Sequence, residues 1–588
     1  MTNNETNIAD IIRNTEKKYT ENVKLGKYVD YNLYETTQQI QAYLNATPIS
    51  GKLDSQGHEK PWDDILVEAV NTRTRATDLN VSNIRFIAPS NKYITANEIF
   101  KIAMLQWFQE ENFGLFLDKW GRELAEYNSI FVKAVEKGDK LHIDTVSWNN
   151  IICDPLNIKY APIIEKMYLT ELELREKYNL ETEAIDNLIT TKRKLIESGE
   201  IAVNEDGDFY EIYEAHTTEW DDVLKKQVNK MYVVSYLQKK GGVEDFILYQ
   251  GREDKNPFIL THLTPTKDRT LGRGIVEQLI PKQWLVNHYT YITKKTLDLS
   301  TKVGFQTSDK SFAGLNAIDD FDSGDILVTD DGKSLAQVNT QSYNVTQVEN
   351  IKNEQKASSR SISGVSEAMS GEVKAGAAWR QTEAILQESR DLFNKMKEHK
   401  GLYLTEIISD YIIPFVIKRL SKQKEITTIL DDASIEKIDR MFLSSEAVRR
   451  ANKKIAEEFL KNAEKVSLEE MQPMQQPDVL GEQQSLKDSL TEQGNQRFFK
   501  PSDIDDKTWG DYFKDYETKV VIDITGESIN TVENVTSLNT TLSTLLSAGL
   551  PISHPNVKII LGEIMRQTNG ISPLQLSDME QQPTVGQP

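Results

Sequence analysis

The stretch "KNPFILTHLTPTKDRTLGRGIVEQLIPKQWLVNHYTYITKKTLD", Lys255 to Asp298, changes its period midway, and the fold reading turns on that change. Behind Pro257 the run "FILTHLT" is β-branched and aromatic, which predicts a strand. Beyond Gly272 and Gly274 the apolar residues fall at helical spacing: Trp284, Leu285, His288, Tyr289, Ile292, Thr296 and Leu299. Pro281 lacks an amide donor and its ring clashes with the preceding turn of a helix. The expectation is therefore a short helix before it and a new helix with Pro281 in its first turn. "GRG" at 272–274 is not a dinucleotide loop, because position 277 is Glu277 and no βαβ pattern surrounds it.

Upstream, "DFYEIYEAHTTEW", "KMYVVSYLQ", "DFILYQG" and "FILTHLT" read as one antiparallel meander over 208–264, with turns at "EDGD" and "KKGG". Residues 159–198 read as helix, with a capping box from Thr170 to Glu173. "SIFVKAVEKGDKLHIDTVSW" reads as a hairpin around Lys137-Gly138-Asp139. The first 130 residues read as helices, with a stripe of Ile99, Ala103, Trp107, Phe113, Phe116, Trp120 and Leu124 and a break at Gly114.

Downstream, residues 303–340 form a small α/β island, with "KVGFQTS" and "DILVTDDGKSLAQV" as its strands. "VTQVENIKNEQKASSRSIS" is helical but its apolar stripe is thin: Val345, Val348, Ile351, then Ile362. Such a helix faces water or packs through small and polar groups. "SGVSEAMSGEVKAGAAW", Ser363 to Trp379, is a strip of small residues between helices. A helix follows from about 378 to 420, roughly 60 Å long at 1.5 Å per residue, bent near its end by Pro414. Residues 467–495 read as a Gln/Pro/Glu-rich linker, "TKVVIDITG" as a strand, and 572–588 as a disordered tail.

The chain has 588 residues, a net charge of -21 and a mean hydropathy of -0.50, which reads as a soluble, globular, multi-domain protein. Its acidity argues against a protein that grips nucleic acid, since Lys and Arg must neutralise phosphates. Cys153 is the single cysteine, so no intrachain disulfide or cysteine-rich metal site is expected. No run of about 18 apolar residues suggests a membrane span. "DGKS" at 331–334 lacks the phosphate-loop glycine, since that position is Leu327. "DDFDSGD" places Gly324 where a calcium loop needs its fifth ligand. The seven histidines do not pair at metal-ligand spacing, and no Ser-His-Asp or Cys-His arrangement stands out. The expectation is no catalytic residue, no metal and no cofactor.

The order of elements resembles the portal protein of tailed bacteriophages, the head-to-tail connector ring. The resemblance is carried by "ILVEAVNTRTRATDLNVSNIRFIAP", by the hairpin leading into Asp154-Pro155, and above all by the stretch quoted first. There the family's Pro-Phe strand, Gly-x-Gly element and Pro-x-Gln followed by Asn match Pro257, Phe258, Gly272, Gly274, Pro281, Gln283 and Asn287. The match covers roughly residues 60–420.

The resemblance implies an α+β, mostly helical fold of several subdomains. These are a wing at 1–272 and 379–420, a stem from helices at 273–302 and 345–363, and a clip at 303–344. A tunnel loop at 364–378 and a C-terminal wing/crown region at 421–571 complete the set. It further implies a ring of about twelve copies at one capsid vertex of the virion, assembled in the host cytoplasm, with double-stranded DNA passing through it. The implied partners are the terminase motor, head–tail adaptor proteins and the major capsid protein, with no membrane. Within that reading Gly364, Gly371, Glu372, Lys374 and Gly376 shape a slim loop at the channel, its charges nearly cancelling. Lys352, Lys356 and Arg360, four residues apart, form one basic face. That face either looks into the channel or is a solvated or intersubunit ion-pair face. The alternatives for the whole chain are another ring-forming neck or adaptor protein, or a nucleic-acid enzyme of the packaging machinery.

Overall fold

The computed structural model describes residues 8–54, 57–88, 94–178, 182–199, 209–221, 224–239, 242–301, 304–306, 308, 336–338, 345–365, 379–422, 426–429, 447–448, 450–457, 478–492, 496–499, 513, 518–522, 538, 540–545 and 547. In chain order the elements begin α1 (Ile8–Thr20), β1 (Val23–Lys24), β2 (Asp30–Tyr31), α2 (Leu33–Leu44), α3 (Leu66–Ala76), β3 (Ile84–Ile87), α4 (Ile94–Glu110) and α5 (Phe113–Tyr127). There follow β4 (Ser129–Lys137), β5 (Lys140–Val146), β6 (Ile151–Ile152), β7 (Ile163–Leu169), α6 (Glu171–Lys177), α7 (Thr182–Glu197), β8 (Tyr210–Asp221), β9 (Lys226–Lys239), β10 (Gly242–Glu253) and β11 (Phe258–His262). The remainder is α8 (Ile275–Thr301), β12 (Gly304–Gln306), β13 (Ala336–Val338), α9 (Val345–Ser363), α10 (Trp379–Ile407), α11 (Ile413–Lys422), β14 (Ile426–Ile429), α12 (Val479–Glu492), β15 (Gln496–Phe499) and β16 (Lys519–Ile522). The chain is thus mixed α+β. It divides into two units, one of Met1–Asp78, Asp118–Ala134 and Ile143–Lys400, the other of Leu79–Leu117, Val135–His142 and Gly401–Pro588.

The first unit holds a five-stranded antiparallel sheet in the order β10-β9-β8-β7-β6. The expected meander supplies β8, β9 and β10. Ile163–Leu169, expected as helix, is instead β7, laddered to β8 from Ile163–His216 to Leu169–Tyr210. The helix starts only at the capping box, where Thr170 N–H donates to Glu173 Oε2 (2.8 Å), and the chain before a cap must be extended. Leu174 of α6 and Ile185, Leu188 and Ile189 of α7 pack on Ile212, Val233 and Leu248 of the sheet. Each such buried side chain contributes about 1.5–3 kcal/mol.

β11 also departs from expectation. It leaves the meander and joins β4 and β5 in a second sheet, with Phe258 opposite Lys133. Pro257 has no N–H to continue a ladder, and Phe258 packs edge-on against Phe131, which meets Trp148 the same way. The chain then passes close to Asn128, whose side chain accepts from Thr264 N–H (3.2 Å) and donates to the Thr264 carbonyl (2.7 Å). A Cβ on Gly272 would stand 2.3 Å from Asn128 Nδ2, and one on Gly274 3.1 Å from Asn128 Cβ. The Gly-x-Gly element is therefore a close backbone approach.

α8 runs unbroken from Ile275, with Pro281 inside it, so the expected second helix start does not occur. Pro281 lies on the exposed side with Trp284 and His288, where water can bind the carbonyl that the missing N–H leaves free. Pro414, by contrast, follows a change of helix type near the end of the long helix. Between α10 and α11 the residues Ile408–Ile412 form a π-turn, and Ile413 N–H bonds Ile408 O, five residues back. At the place where a bend is expected, the helix changes type through this widened turn.

In the second unit β3 pairs with β16, Ile84 opposite Ile522. Phe100 lies edge-on to Phe86 and 6.4 Å from Phe513, while Phe108 stacks on Phe113 at 4.8 Å. The helix break falls at Glu111–Asn112 with Asn112 at φ 49°, leaving Gly114 inside α5. Within 467–495, expected as linker, α12 forms: Asp478 Oδ1 caps Gly481 N–H (2.9 Å) and Leu486 is buried. The acidic and phosphate-loop look-alikes at 319–325 and 331–334 lie outside the described residues.

Candidate functional site

α8 and α9 lie side by side and antiparallel. Lys282 near the start of α8 donates to Gln355 Oε1 (2.8 Å), while Thr293 further along α8 lies beside Glu349 near the start of α9. Between the two helices and α3 runs a polar latch. Gln283, fully buried, accepts from Ile65 N–H (3.0 Å) and donates from Nε2 to the Asp63 carbonyl (2.7 Å) and to Asn287 Oδ1 (2.8 Å). Asn287 Oδ1 also accepts from Asp63 N–H (3.0 Å). One amide thus satisfies both sides of the backbone entering α3, while Asp64 Oδ1 caps the first turn by accepting from Leu66 N–H (2.9 Å) and Val67 N–H (3.1 Å).

The three cations of α9 extend that latch. Lys356 pairs with Asp63 (2.9 Å), Arg360 Nε with Glu68 of α3 (3.1 Å), and Lys352 with Glu349 on its own helix (2.7 Å). The hydrogen bond and charge of Lys352 hold the Glu349 carboxyl below its usual range. Half-exposed pairs of this kind contribute about 0–1 kcal/mol each, so they set register more than stability. The exposed residues of α9 are a different set: Thr346, Gln347, Asn350, Ile351, Asn353, Glu354, Ala357, Ser361 and Ile362. Glu354 is the one charge among them.

Gly364 ends α9. Its N–H reaches the Ser361 carbonyl and Val365 N–H the Arg360 carbonyl, the paired bonds of a Schellman cap, with Gly364 at φ 72°. A Cβ there would stand 2.7 Å from Leu392 Cδ2. Gly371, Glu372, Lys374 and Gly376 lie outside the described residues.

Beside the N-terminal half of α8 opens a cleft of about 520 Å³, walled by Tyr43 at the end of α2, Leu53, Trp284, His288 and Tyr291. Trp284 and His288 stack with ring centres 5.2 Å apart and planes 5° from parallel.

The first unit also gathers titratable groups that sequence spacing did not connect. Lys133 bridges Glu165 and Glu214; Tyr178 donates to Glu214 (2.6 Å); His216 contacts Glu214 (3.1 Å) and Glu253 (2.8 Å). Burial raises the Glu214 carboxyl, but the His216 hydrogen bond and the Lys133 and Lys177 charges outweigh it and hold the group well below its usual value. Burial likewise lowers His216, and Glu214 and Glu253 together outweigh it and raise the imidazole. Every member has a partner, which makes this a structural network joining the two sheets. Ser129 Oγ lies 2.7 Å from His262 Nδ1, a nucleophile–base distance, with His262 pushed down to about 4 by burial. Ser129 is fully buried, however, and its Oγ accepts from Gly272 N–H (2.8 Å), so it braces the Gly-x-Gly passage. Cys153 is buried.

Among the described residues no three His, Cys, Asp or Glu are grouped to hold a metal ion, and no helix is long and apolar enough to cross a membrane. No protein-family model matches the chain, and no curated protein matches it.

Proposed function

We propose that this chain is the portal protein of a tailed bacteriophage. Copies close into a ring of about twelve at one vertex of the capsid. Double-stranded DNA passes through that ring during packaging and ejection. The observation that carries the reading is the order α8–β12–β13–α9: two antiparallel helices, bridged by Lys282 and Gln355, with a strand pair inserted between them. That is the arrangement expected of a stem bracketing a clip. Support also comes from α9. Its cations are matched within the chain and its exposed side is nearly uncharged, a surface beside which phosphates are not trapped. The clip is the docking place for a terminase motor and head–tail adaptors, and the outer wing for the major capsid protein. The protein performs no chemistry itself; the motor hydrolyses ATP.

Electron-microscopy class averages of the purified chain viewed down the symmetry axis test the reading. Rings with a central pore are expected. A single-copy particle at micromolar concentration, by imaging and mass photometry together, would overturn it.

A further inference from the structure

Two exposed features sit at opposite ends of α2, a helix of 12 residues and so about 18 Å long. At its start projects the β1–β2 hairpin. The tip is closed by Leu25 N–H to Val29 O (2.8 Å) and carries Lys27, Tyr28 at 87 % exposure and Val29 at 51 %. At its end lies the cleft of Tyr43, Trp284, His288 and Tyr291, rimmed by Leu53 at 56 % exposure and Trp284 at 53 %. Leu115, Leu172 and Leu402 are also largely exposed, so exposure alone does not single out these two features; their shape and chemistry do.

The geometry points to a knob-and-hole contact between copies: the hairpin tip of one copy, led by Tyr28, seats in the aromatic cleft of the next. This rests on the ring reading and names the contact that would build the ring. Three observations carry it. First, chemistry: a phenol entering the cleft meets aromatic surface from Trp284, His288, Tyr291 and Tyr43, and polar groups of Ser50, Asp54, Lys60 and Asn287 for its hydroxyl. Second, charge: in residues 23–31 Lys24 and Asp30 pair with each other (2.6 Å) and leave Lys27, whereas 53–64 hold Asp54, Glu59 and Asp64 against Lys60, Asp63 being matched by Lys356. Copies with a net charge of -21 repel, so their contacts fall where local charges are complementary. Third, placement: knob and hole are different surfaces at the two ends of one helix. Used one way, the contact runs head-to-tail and propagates around a ring; used reciprocally it would close a two-fold dimer, and the length of the cross-linked ladder separates the two.

Cysteine cross-linking tests it on the full chain, because the single native cysteine, Cys153, is buried. The double variant Tyr28→Cys/His288→Cys should give, on mild oxidation, a ladder of covalent oligomers that thiols collapse. Tyr28→Cys copies mixed with His288→Cys copies should stop at dimers. Tyr28→Ala removes only exposed atoms, so its melting should match that of the parent. It should also raise the concentration needed for half-assembly by about tenfold or more, as loss of an aromatic anchor does. Rings that form without cross-links, or that tolerate Tyr28→Ala unchanged, would overturn this contact while leaving the portal reading intact. A parent chain that forms no rings would overturn both.

Discussion

Lys400 shows how far one side chain can be read. It is fully buried, its Nζ donates to the Thr77 carbonyl (3.1 Å) and lies 5.3 Å from the centre of the Trp120 ring, and a Cβ on Gly121 would touch it. Burial pulls its ammonium from 10.5 down to about 8, only partly offset by Asp78. The sign follows from linkage. Below about pH 8 the group is charged in both states, and the full cost of burying the charge opposes folding. From there to 10.5 only the unfolded chain holds the proton, so this group's penalty fades as pH rises. Lys400→Met should therefore stabilise the protein by about 1–3 kcal/mol near neutral pH. That gain should shrink towards pH 10.5 in urea unfolding followed in parallel with the parent. A gain independent of pH would show that packing, and not the charge, is responsible. None of this was legible in the sequence, where Lys400 is one cation on a charged helix. Its burial depends on Thr77 and Trp120, which are hundreds of residues away.

Among elements, the first-quoted stretch was legible as a strand, a glycine passage and a helix, because each carries a local signal. Its partners were not. Gly272 and Gly274 are required by Asn128, and Gln283 by residues 63–65, more than a hundred residues upstream. Period and propensity do not encode such distances. The same limit explains β7, whose strand form comes from its seven-residue ladder with β8, and β11, whose sheet was decided by Phe131. Pro281 failed as a helix break because its side of α8 is exposed. The latch yields a direct test. Gln283→Ala strands the Ile65 N–H and the Asp63 carbonyl in a buried place, and each orphaned group costs about 1–3 kcal/mol. A loss of about 2–4 kcal/mol in denaturant unfolding is expected, with Gln283→Glu no substitute because it cannot donate to the carbonyl. A loss under about 0.5 kcal/mol, the range of ordinary surface changes, would mean that the entry to α3 holds without it.

At the scale of the molecule, charge is the dominant fact. Each copy carries a net charge of -21, and within the proposed ring about twelve of these are drawn together. The same field that keeps phosphates from sticking to a channel wall opposes bringing the walls together. Screening separates the two effects. Exposed charges act over about 10 Å at 0.1 M salt and about 3 Å at 1 M, while the proposed covering of the exposed Tyr28, Val29, Leu53 and Trp284 by a neighbouring copy does not depend on charge. Raising salt from about 0.05 to about 0.5 M should therefore shift the population towards rings, with half-assembly at several-fold lower protein concentration, read by mass photometry. Lys27 works against this trend, because its attraction for the acidic 53–64 segment is screened as well. It is small beside the total charge, so the net direction is set by repulsion. If rings instead dissolve as salt rises, local ion pairs hold the assembly. The acidity would then be a property of the channel alone and no obstacle to closing it.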